Sequence, residues 1–180
     1  MSDDPAAEAG RWLAQRLGDA VRRRGRAFAA VSGGSTAPPL FDAVLARDVP
    51  WADVTIWQVD ERVAPDGHPA RNAGQLADLP CRVELMPVTD DDLVAGAARY
   101  AAGLPDRFDI VHLGLGDDGH TASWPPLPHP DAGIVDAPAA VGVVGEFNGR
   151  RRMTLLPAAV DAARTRVVLA TGAGKAEVVR

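Results

Sequence analysis

The sequence has little of what marks a secreted, membrane-bound or nucleic-acid-binding protein. Cys81 is the single cysteine in 180 residues, so neither an intramolecular disulfide nor a thiolate metal cluster can form. No apolar run approaches the roughly 18 residues of a membrane span, and the N-terminus lacks the pattern of a secretory signal. The net charge of −5 does not favour nucleic acid or a membrane surface. We therefore expect a cytoplasmic protein without nucleic-acid or membrane partners.

Positive charge is concentrated in only two places. The short runs Arg22–Arg24 and Arg150–Arg152 are interpreted as solvated surface. The four histidines show no metal-ligand spacing, so no metal site is predicted.

The length and the hydrophobic pattern predict one α/β domain. A chain of 180 residues with 47% hydrophobic residues can bury one substantial core, so residues 1–180 are treated as a single domain. Helical patterns cover 6–24, 38–46, 72–77, 91–102 and 157–163, and they alternate with apolar segments at 26–31, 54–59, 83–87, 108–115 and 167–170. This alternation predicts a three-layer α/β/α fold around a mostly parallel, doubly wound (Rossmann-like) sheet. Asn148-Gly149 predicts an antiparallel hairpin near 140–156.

The most informative segment is residues 108–124, where a buried strand leads into a glycine-rich turn that carries His120. An imidazole titrates near neutral pH, and glycines allow turn conformations that other residues avoid. Ligands bind at the carboxyl ends of strands in open α/β sheets, so the turn is predicted to border an active site. Its carboxylates and glycines are Asp117, Asp118, Gly114, Gly116 and Gly119.

The same turn matches the glycine spacing of a dinucleotide-binding fingerprint. That fingerprint requires a helix to open at the third glycine, but prolines begin at Pro125 and proline disrupts a helix interior. Dinucleotide binding is therefore the weaker interpretation.

A second strand end, SGGST at 32–36, precedes a predicted helix. Ser32, Gly33, Gly34 and Ser35 are predicted to form a phosphate cradle from free backbone N–H groups at a helix N-terminus. The alternative is an ordinary turn with a Ser or Thr cap.

Two further strand ends carry cations. Arg62 ends the DER segment and offers a planar fork for phosphate or carboxylate; the alternative is a local ion pair with Asp60 or Glu61. Lys175 follows a Gly-rich strand end and can add a point charge to the same phosphate, or can be an exposed surface lysine.

Four segments together resemble the 6-phosphogluconolactonase family of the glucosamine/galactosamine-6-phosphate isomerase superfamily. They are residues 31–41, 51–72, 108–123 and 152–179. The DGHTAS run distinguishes this branch from the amino-sugar phosphate deaminases. The resemblance implies a three-layer α/β/α fold, hydrolysis of 6-phosphoglucono-1,5-lactone in the pentose phosphate pathway, a small-molecule sugar-phosphate partner, and no metal or organic cofactor.

The resemblance also assigns roles to individual residues. It implies that His120 is the base that activates water and that Asp118 orients it. Arg62 and Lys175 would hold substrate charge. Because Ala70-Arg71 departs from the family pattern, Asn72 alone carries over from that loop. The backbone residues expected to line the pocket are Ser32, Gly33 and Gly34.

Several alternatives stay open at this level. A neutral imidazole suits proton abstraction from water, which favours general-base hydrolysis over a covalent route through Ser32 or Ser35. Two functions are alternatives to lactone hydrolysis: the protein is an amino-sugar-phosphate deaminase or isomerase, or it is a non-catalytic sugar-phosphate binding protein.

Because family members commonly continue beyond the position of Arg180, the chain is either a compact variant or lacks the usual C-terminal helix. A monomer or a weak homo-oligomer is expected.

Overall fold

The computed structural model describes residues 3–176 and residue 178. Within this part of the chain, helices and strands alternate as the sequence predicts. The helices are α1 (Pro5–Arg24), α2 (Ala37–Leu45), α3 (Leu93–Ala102) and α4 (Pro157–Asp161). The strands are β1 (Ala27–Val31), β2 (Val54–Gln58), β3 (Asp60–Arg62), β4 (Arg82–Glu84), β5 (Ile110–Gly114), β6 (Val141–Phe147), β7 (Arg150–Leu155) and β8 (Arg166–Leu169).

The main sheet is parallel and has the strand order β4-β2-β1-β5-β8, which confirms the predicted mostly parallel α/β fold. Its central strands are largely apolar, as is typical of a sheet that is covered on both faces. Val31, at the end of β1, pairs with Gln58 of β2 and with His112 of β5. The carboxyl ends of these three strands therefore meet at one edge.

Helices and the hairpin form the outer layers. On one face, α1 and α2 pack with the sheet around residues such as Leu17, Leu40 and Ile56. On the other face, α3, α4 and the hairpin cover a second apolar cluster that includes Val111 and Leu155. The sheet is thus the middle of three layers.

Local capping sets the helix boundaries. The Asp4 side chain accepts a hydrogen bond from the Ala7 amide at the start of α1, and Gly25 ends that helix in a left-handed conformation with φ 72°. Asp92 caps α3 in the same way, so this helix begins slightly later than the predicted range 91–102. The segment predicted as a helix at 72–77 is instead a 3₁₀ turn, Asn72–Leu76.

The predicted hairpin is present, but it belongs to a second sheet with the order β3-β7-β6. The sequence interpretation treated DER as a loop, and the structure corrects this because Asp60–Arg62 forms strand β3, antiparallel to β7. Val59 connects the two sheets: its amide donates to Val31 in the parallel sheet, and its carbonyl accepts from Leu155 of β7. The backbone pairing of β3 with β7 therefore fixes the positions of Asp60, Glu61 and Arg62.

Beyond β8, the described residues form a 3₁₀ turn, Ala173–Lys175. The residues after Lys175, where the sequence favours the start of a last helix, lie largely outside the described residues. In the part of the chain that the structure describes, none of the helices combines the length and the apolar character needed to cross a membrane.

Candidate active site

A cavity of about 460 Å³ lies at the carboxyl edge of the parallel sheet. All four predicted strand-end loops contribute to its wall, because the carboxyl ends of parallel strands share one edge. The structure therefore brings together every residue that the sequence indicated for the site: Ser32, Gly33, Gly34, Ser35, Arg62, Asn72, Asp118, His120 and Lys175.

His120 and Asp118 form a pair on the wall of this cavity. Asp118 Oδ1 contacts His120 Nδ1 and also accepts a hydrogen bond from the His120 amide at 3.2 Å. Burial alone would raise the pKa of Asp118, but the hydrogen bonds and charge of His120 outweigh it and lower this pKa. An ionised carboxylate at Nδ1 fixes the proton there and leaves Nε2 as the acceptor nitrogen.

Gly116 makes this pair possible. A Cβ atom at residue 116 would lie 2.2 Å from His120 Nδ1 and 2.6 Å from Asp118 Oδ1, distances that no side chain tolerates. The Gly116 amide donates to the His120 carbonyl at 2.7 Å, and Gly119 turns the chain with φ 84°. The glycine spacing that resembles a dinucleotide fingerprint thus places an imidazole.

The Ser32–Thr36 loop leads from β1 into α2, but its amides are not all available. The Ser32 amide donates to the His112 carbonyl at 3.0 Å, and the Gly34 amide donates to Gln75 Oε1 at 3.0 Å. The prediction of free N–H groups is therefore wrong for Ser32 and Gly34. The amides that donate to none of the described residues are those of Gly33, Ser35 and Thr36.

Asn72 packs directly against this loop. A Cβ atom on Gly33 would lie 2.3 Å from Asn72 Oδ1, so the glycine permits the close approach. The side-chain Nδ2 of Asn72 donates to the Asp60 carbonyl at 3.0 Å, and the backbone amide of Asn72 donates to Glu61 Oε1 at 2.7 Å. The 3₁₀ turn that begins at Asn72 is thereby attached to strand β3.

Two arginines lie opposite each other where β3 pairs with β7. Arg62 and Arg152 are direct partners in the ladder, and both line the cavity. Burial, followed by the charge of Arg62, lowers the pKa of Arg152, and Asp60 opposes this effect. Like charges in this position repel each other, and an anion between them would relieve the repulsion.

Arg152 corrects the interpretation of residues 150–152 as solvated surface. Its side chain is buried, its Nε donates to the Phe147 carbonyl at 2.9 Å, and its guanidinium lies 5.2 Å from the centre of the Phe147 ring. The His120 ring contacts the same aromatic residue: it meets the Phe147 ring edge-on, with 5.0 Å between the ring centres. Phe147 therefore contacts both an arginine and the imidazole.

Asp60 is the buried carboxylate of the site. It accepts a hydrogen bond from Ser123 Oγ at 2.7 Å, and Arg152 Nη1 lies 3.9 Å from it. Burial raises the pKa of Asp60 despite these contacts. The remaining predicted cation, Lys175, forms an ion pair with the exposed Asp117 at the rim.

Three buried polar atoms in the wall have no hydrogen-bond partner among residues 3–176 and 178. They are Ser32 Oγ, Arg62 Nε and Asn72 Oδ1. Buried polar groups are nearly always hydrogen-bonded, so these three atoms are exceptions in the wall of the cavity. Among the same residues, no group of three His, Cys, Asp or Glu side chains could hold a metal ion.

Comparison with known proteins identifies the family. A model of the family described as glucosamine-6-phosphate isomerases/6-phosphogluconolactonase matches residues 1–180. A 6-phosphogluconolactonase of Nostoc sp. is 33% identical, over 89% of this chain and 72% of its own length. The chain belongs to this family. A lactonase of Rhizobium meliloti is also 33% identical, over 91% of this chain and 76% of its own length.

The fold agrees with that of a solved family member. A crystal structure of a 6-phosphogluconolactonase from Shewanella baltica has a TM-score of 0.89 at 27% identity, covering 97% of this chain and 80% of its own. The parallel sheet with a small antiparallel sheet is therefore the fold of the lactonase family.

Sequence reasoning missed several residues of this lactonase-family site, namely Asp60, Phe147, Asn148 and Arg152. The sequence carries no local signal for Arg152. The last four residues of β7, 152–155, are all buried, so no alternation of buried and exposed positions marks the arginine. The position of β3 beside this strand had no local signal either.

Proposed function

We propose that this chain hydrolyses 6-phospho-D-glucono-1,5-lactone to 6-phospho-D-gluconate, with His120 as the general base that activates water. Membership of the family makes it an enzyme of the 6-phosphogluconolactonase type, a carboxylic ester hydrolase of the pentose phosphate pathway. The observation that carries the mechanism is the His120–Asp118 pair, which shares one cavity with the opposed arginines Arg62 and Arg152.

The imidazole supplies the proton transfer that lactone hydrolysis requires. Asp118 holds Nδ1 protonated, so Nε2 takes a proton from water as the water oxygen attacks the lactone carbonyl carbon. The tetrahedral intermediate then collapses, the bond from that carbon to the ring oxygen breaks, and the imidazolium returns its proton to the leaving oxygen. The product is the open-chain carboxylic acid, which ionises at neutral pH.

The arginines and the cradle supply recognition of the phosphate. Arg62 and Arg152 present two guanidiniums across the β3–β7 ladder, and guanidinium forks match the geometry of phosphate oxygens. The unused amides of Gly33, Ser35 and Thr36 add neutral donors at the N-terminus of α2, an arrangement that favours an anion.

Attack by water is favoured over a covalent serine route. A serine nucleophile needs a hydrogen bond to the base that activates it. In the described part of the chain, neither the Ser32 nor the Ser35 hydroxyl makes a hydrogen bond to His120.

The direct test is lactone hydrolysis, corrected for the spontaneous rate, by wild type and His120→Ala. General-base catalysis contributes about 10²–10⁴-fold, so kcat should fall by that amount while phosphogluconate still binds. His129→Ala is the matched control, because His129 contacts the same Phe147 ring but does not line the cavity.

Undiminished turnover by His120→Ala would refute the role of His120. Binding of phosphogluconate by the wild type without any turnover would instead indicate a non-catalytic sugar-phosphate binding protein. Ammonia release from glucosamine 6-phosphate would support the deaminase alternative.

A further inference from the structure

A second cavity, of about 360 Å³, lies at the opposite edge of the parallel sheet, where β1 and β5 begin. We call it the amino-edge pocket. Strand β1 connects the two cavities, with Phe28 at this pocket and Ser32 at the active site. Its residues are Arg24, Arg26, Phe28, Leu104, Pro105, Asp106, Arg107, Asp109 and Arg164.

A buried carboxylate holds two of the four arginines in place. Asp109 is buried and its Oδ1 accepts from Arg24 Nη2 at 2.6 Å and lies 3.2 Å from Arg164 Nε. Its other oxygen accepts from the Phe28 amide at 2.9 Å. Two guanidiniums are therefore fixed at the wall by a group that is itself fixed to the sheet.

The other two arginines have no carboxylate partner among residues 3–176 and 178. The Arg26 guanidinium lies 5.2 Å from the centre of the Phe28 ring, and Arg107 makes no side-chain hydrogen bond or ion pair with the described residues. Four guanidiniums thus surround a concavity that contains two carboxylates, Asp106 and Asp109. This local excess of positive charge stands against a net charge of −5 for the whole chain.

We propose that the amino-edge pocket is an anion-binding site for a small phosphate-bearing molecule. The concave shape and the volume suit a small ligand, whereas a flat basic face would suit a macromolecule. The planar fork of a guanidinium matches the geometry of phosphate oxygens, and Arg26 and Arg107 have no carboxylate partner among the described residues. The pocket is distinct from the active site, because three residues of β1, Ala29, Ala30 and Val31, separate Phe28 from Ser32, a distance of about 13 Å along an extended strand.

Isothermal titration of the full chain with inorganic pyrophosphate at low ionic strength tests this site. Wild type should show binding that Arg26→Ala/Arg107→Ala weakens at least tenfold, while lactone hydrolysis is unchanged. Both side chains are exposed, so the double variant should fold. Arg11→Ala/Arg47→Ala removes the same charge from exposed positions outside the pocket and should bind pyrophosphate like the wild type.

Arg62→Ala separates this site from the active-site cavity, since it should weaken only the pyrophosphate bound at the carboxyl edge. The proposal is overturned if Arg26→Ala/Arg107→Ala binds pyrophosphate like the wild type. It is equally overturned if Arg11→Ala/Arg47→Ala weakens binding to the same extent, because the effect would then reflect overall charge. Neither result depends on the lactonase assignment.

Discussion

At the scale of single residues, the candidate site depends on glycines that make room for functional side chains. Gly116 lies where any Cβ would overlap both members of the His120–Asp118 pair, and Gly33 lies where a Cβ would overlap Asn72. Neither glycine contributes a functional side chain. Their effect is to let the backbone approach closely enough for the functional side chains to reach their positions.

Gly116→Ala is expected to lower kcat by at least about tenfold while changing Tm little. A Cβ 2.2 Å from His120 Nδ1 forces the imidazole away from Asp118, and misplacement of a catalytic group by about 1 Å can cost on the order of 100-fold in rate. Steady-state lactone hydrolysis and thermal unfolding measure the two effects.

Gly74→Ala is the control for that substitution, since a Cβ at residue 74 has no atom within 4 Å and Gly74 is not part of the cavity wall. Equal kcat for wild type and Gly116→Ala would show that the glycine does not position the pair.

At the scale of secondary-structure elements, Glu61 of β3 connects the DER strand to the 3₁₀ turn at 72–76. Its carboxylate is fully buried and accepts from the Asn72 and Ala73 amides at 2.7 and 2.8 Å and from Gln58 Nε2 at 2.8 Å. Arg71 Nε lies 3.1 Å from it. The loop that departs from the family pattern thus supplies a counter-ion that compensates a buried charge.

Glu61→Gln should lower the free energy of unfolding by about 3 kcal/mol and raise KM. The amide keeps the shape of the side chain, but it cannot accept at every position and it leaves the buried Arg71 with only the exposed Asp66 as a carboxylate partner; breaking a buried ion pair typically costs about 3–5 kcal/mol. The hydrogen bond from the Asn72 backbone amide to the Glu61 carboxylate would also weaken, which would loosen Asn72 in the wall of the cavity. Urea unfolding and lactone kinetics measure the two effects.

Asp66→Asn is the matched control, because Asp66 pairs with the same arginine but its side chain is 82% exposed. Exposed ion pairs contribute about 0–1 kcal/mol. Similar losses of stability in Glu61→Gln and Asp66→Asn would contradict the role of Glu61.

The same elements show what sequence could and could not predict. Hydrophobic periodicity is a local property, so the alternating helices and strands and the loops at their ends were predictable, and with them the convergence of His120, Arg62 and Ser32. Strand β3 was not, because Asp60–Arg62 becomes a strand only by pairing with β7 some 90 residues later. The burial of Arg152 follows from that pairing and was missed with it.

At the scale of the whole molecule, the parallel sheet buries an ionisable side chain in its centre. His112 lies in β5 between Val31 of β1 and Val167 of β8. It is fully buried, and neither ring nitrogen has a hydrogen-bond partner among the described residues. Burial lowers the pKa of His112 from 6.5 to about 4. The imidazole is therefore neutral in the folded protein and must gain a proton when the chain unfolds in mild acid.

His112 should make the protein sensitive to acid in a defined pH range. Between pH 6.5 and about 4 the unfolded chain binds a proton at this residue that the folded protein does not, so stability falls as the pH falls. The full effect is on the order of 3 kcal/mol. In His112→Leu the side chain no longer titrates, so the free energy of unfolding should depend less on pH across that range. Urea unfolding followed by tryptophan fluorescence at pH 7 and pH 4.5 measures the difference.

His129→Leu, which replaces a histidine with exposed hydrogen bonds, should retain the wild-type pH dependence. Parallel profiles for wild type and His112→Leu would show that the buried imidazole is not the source of the acid sensitivity.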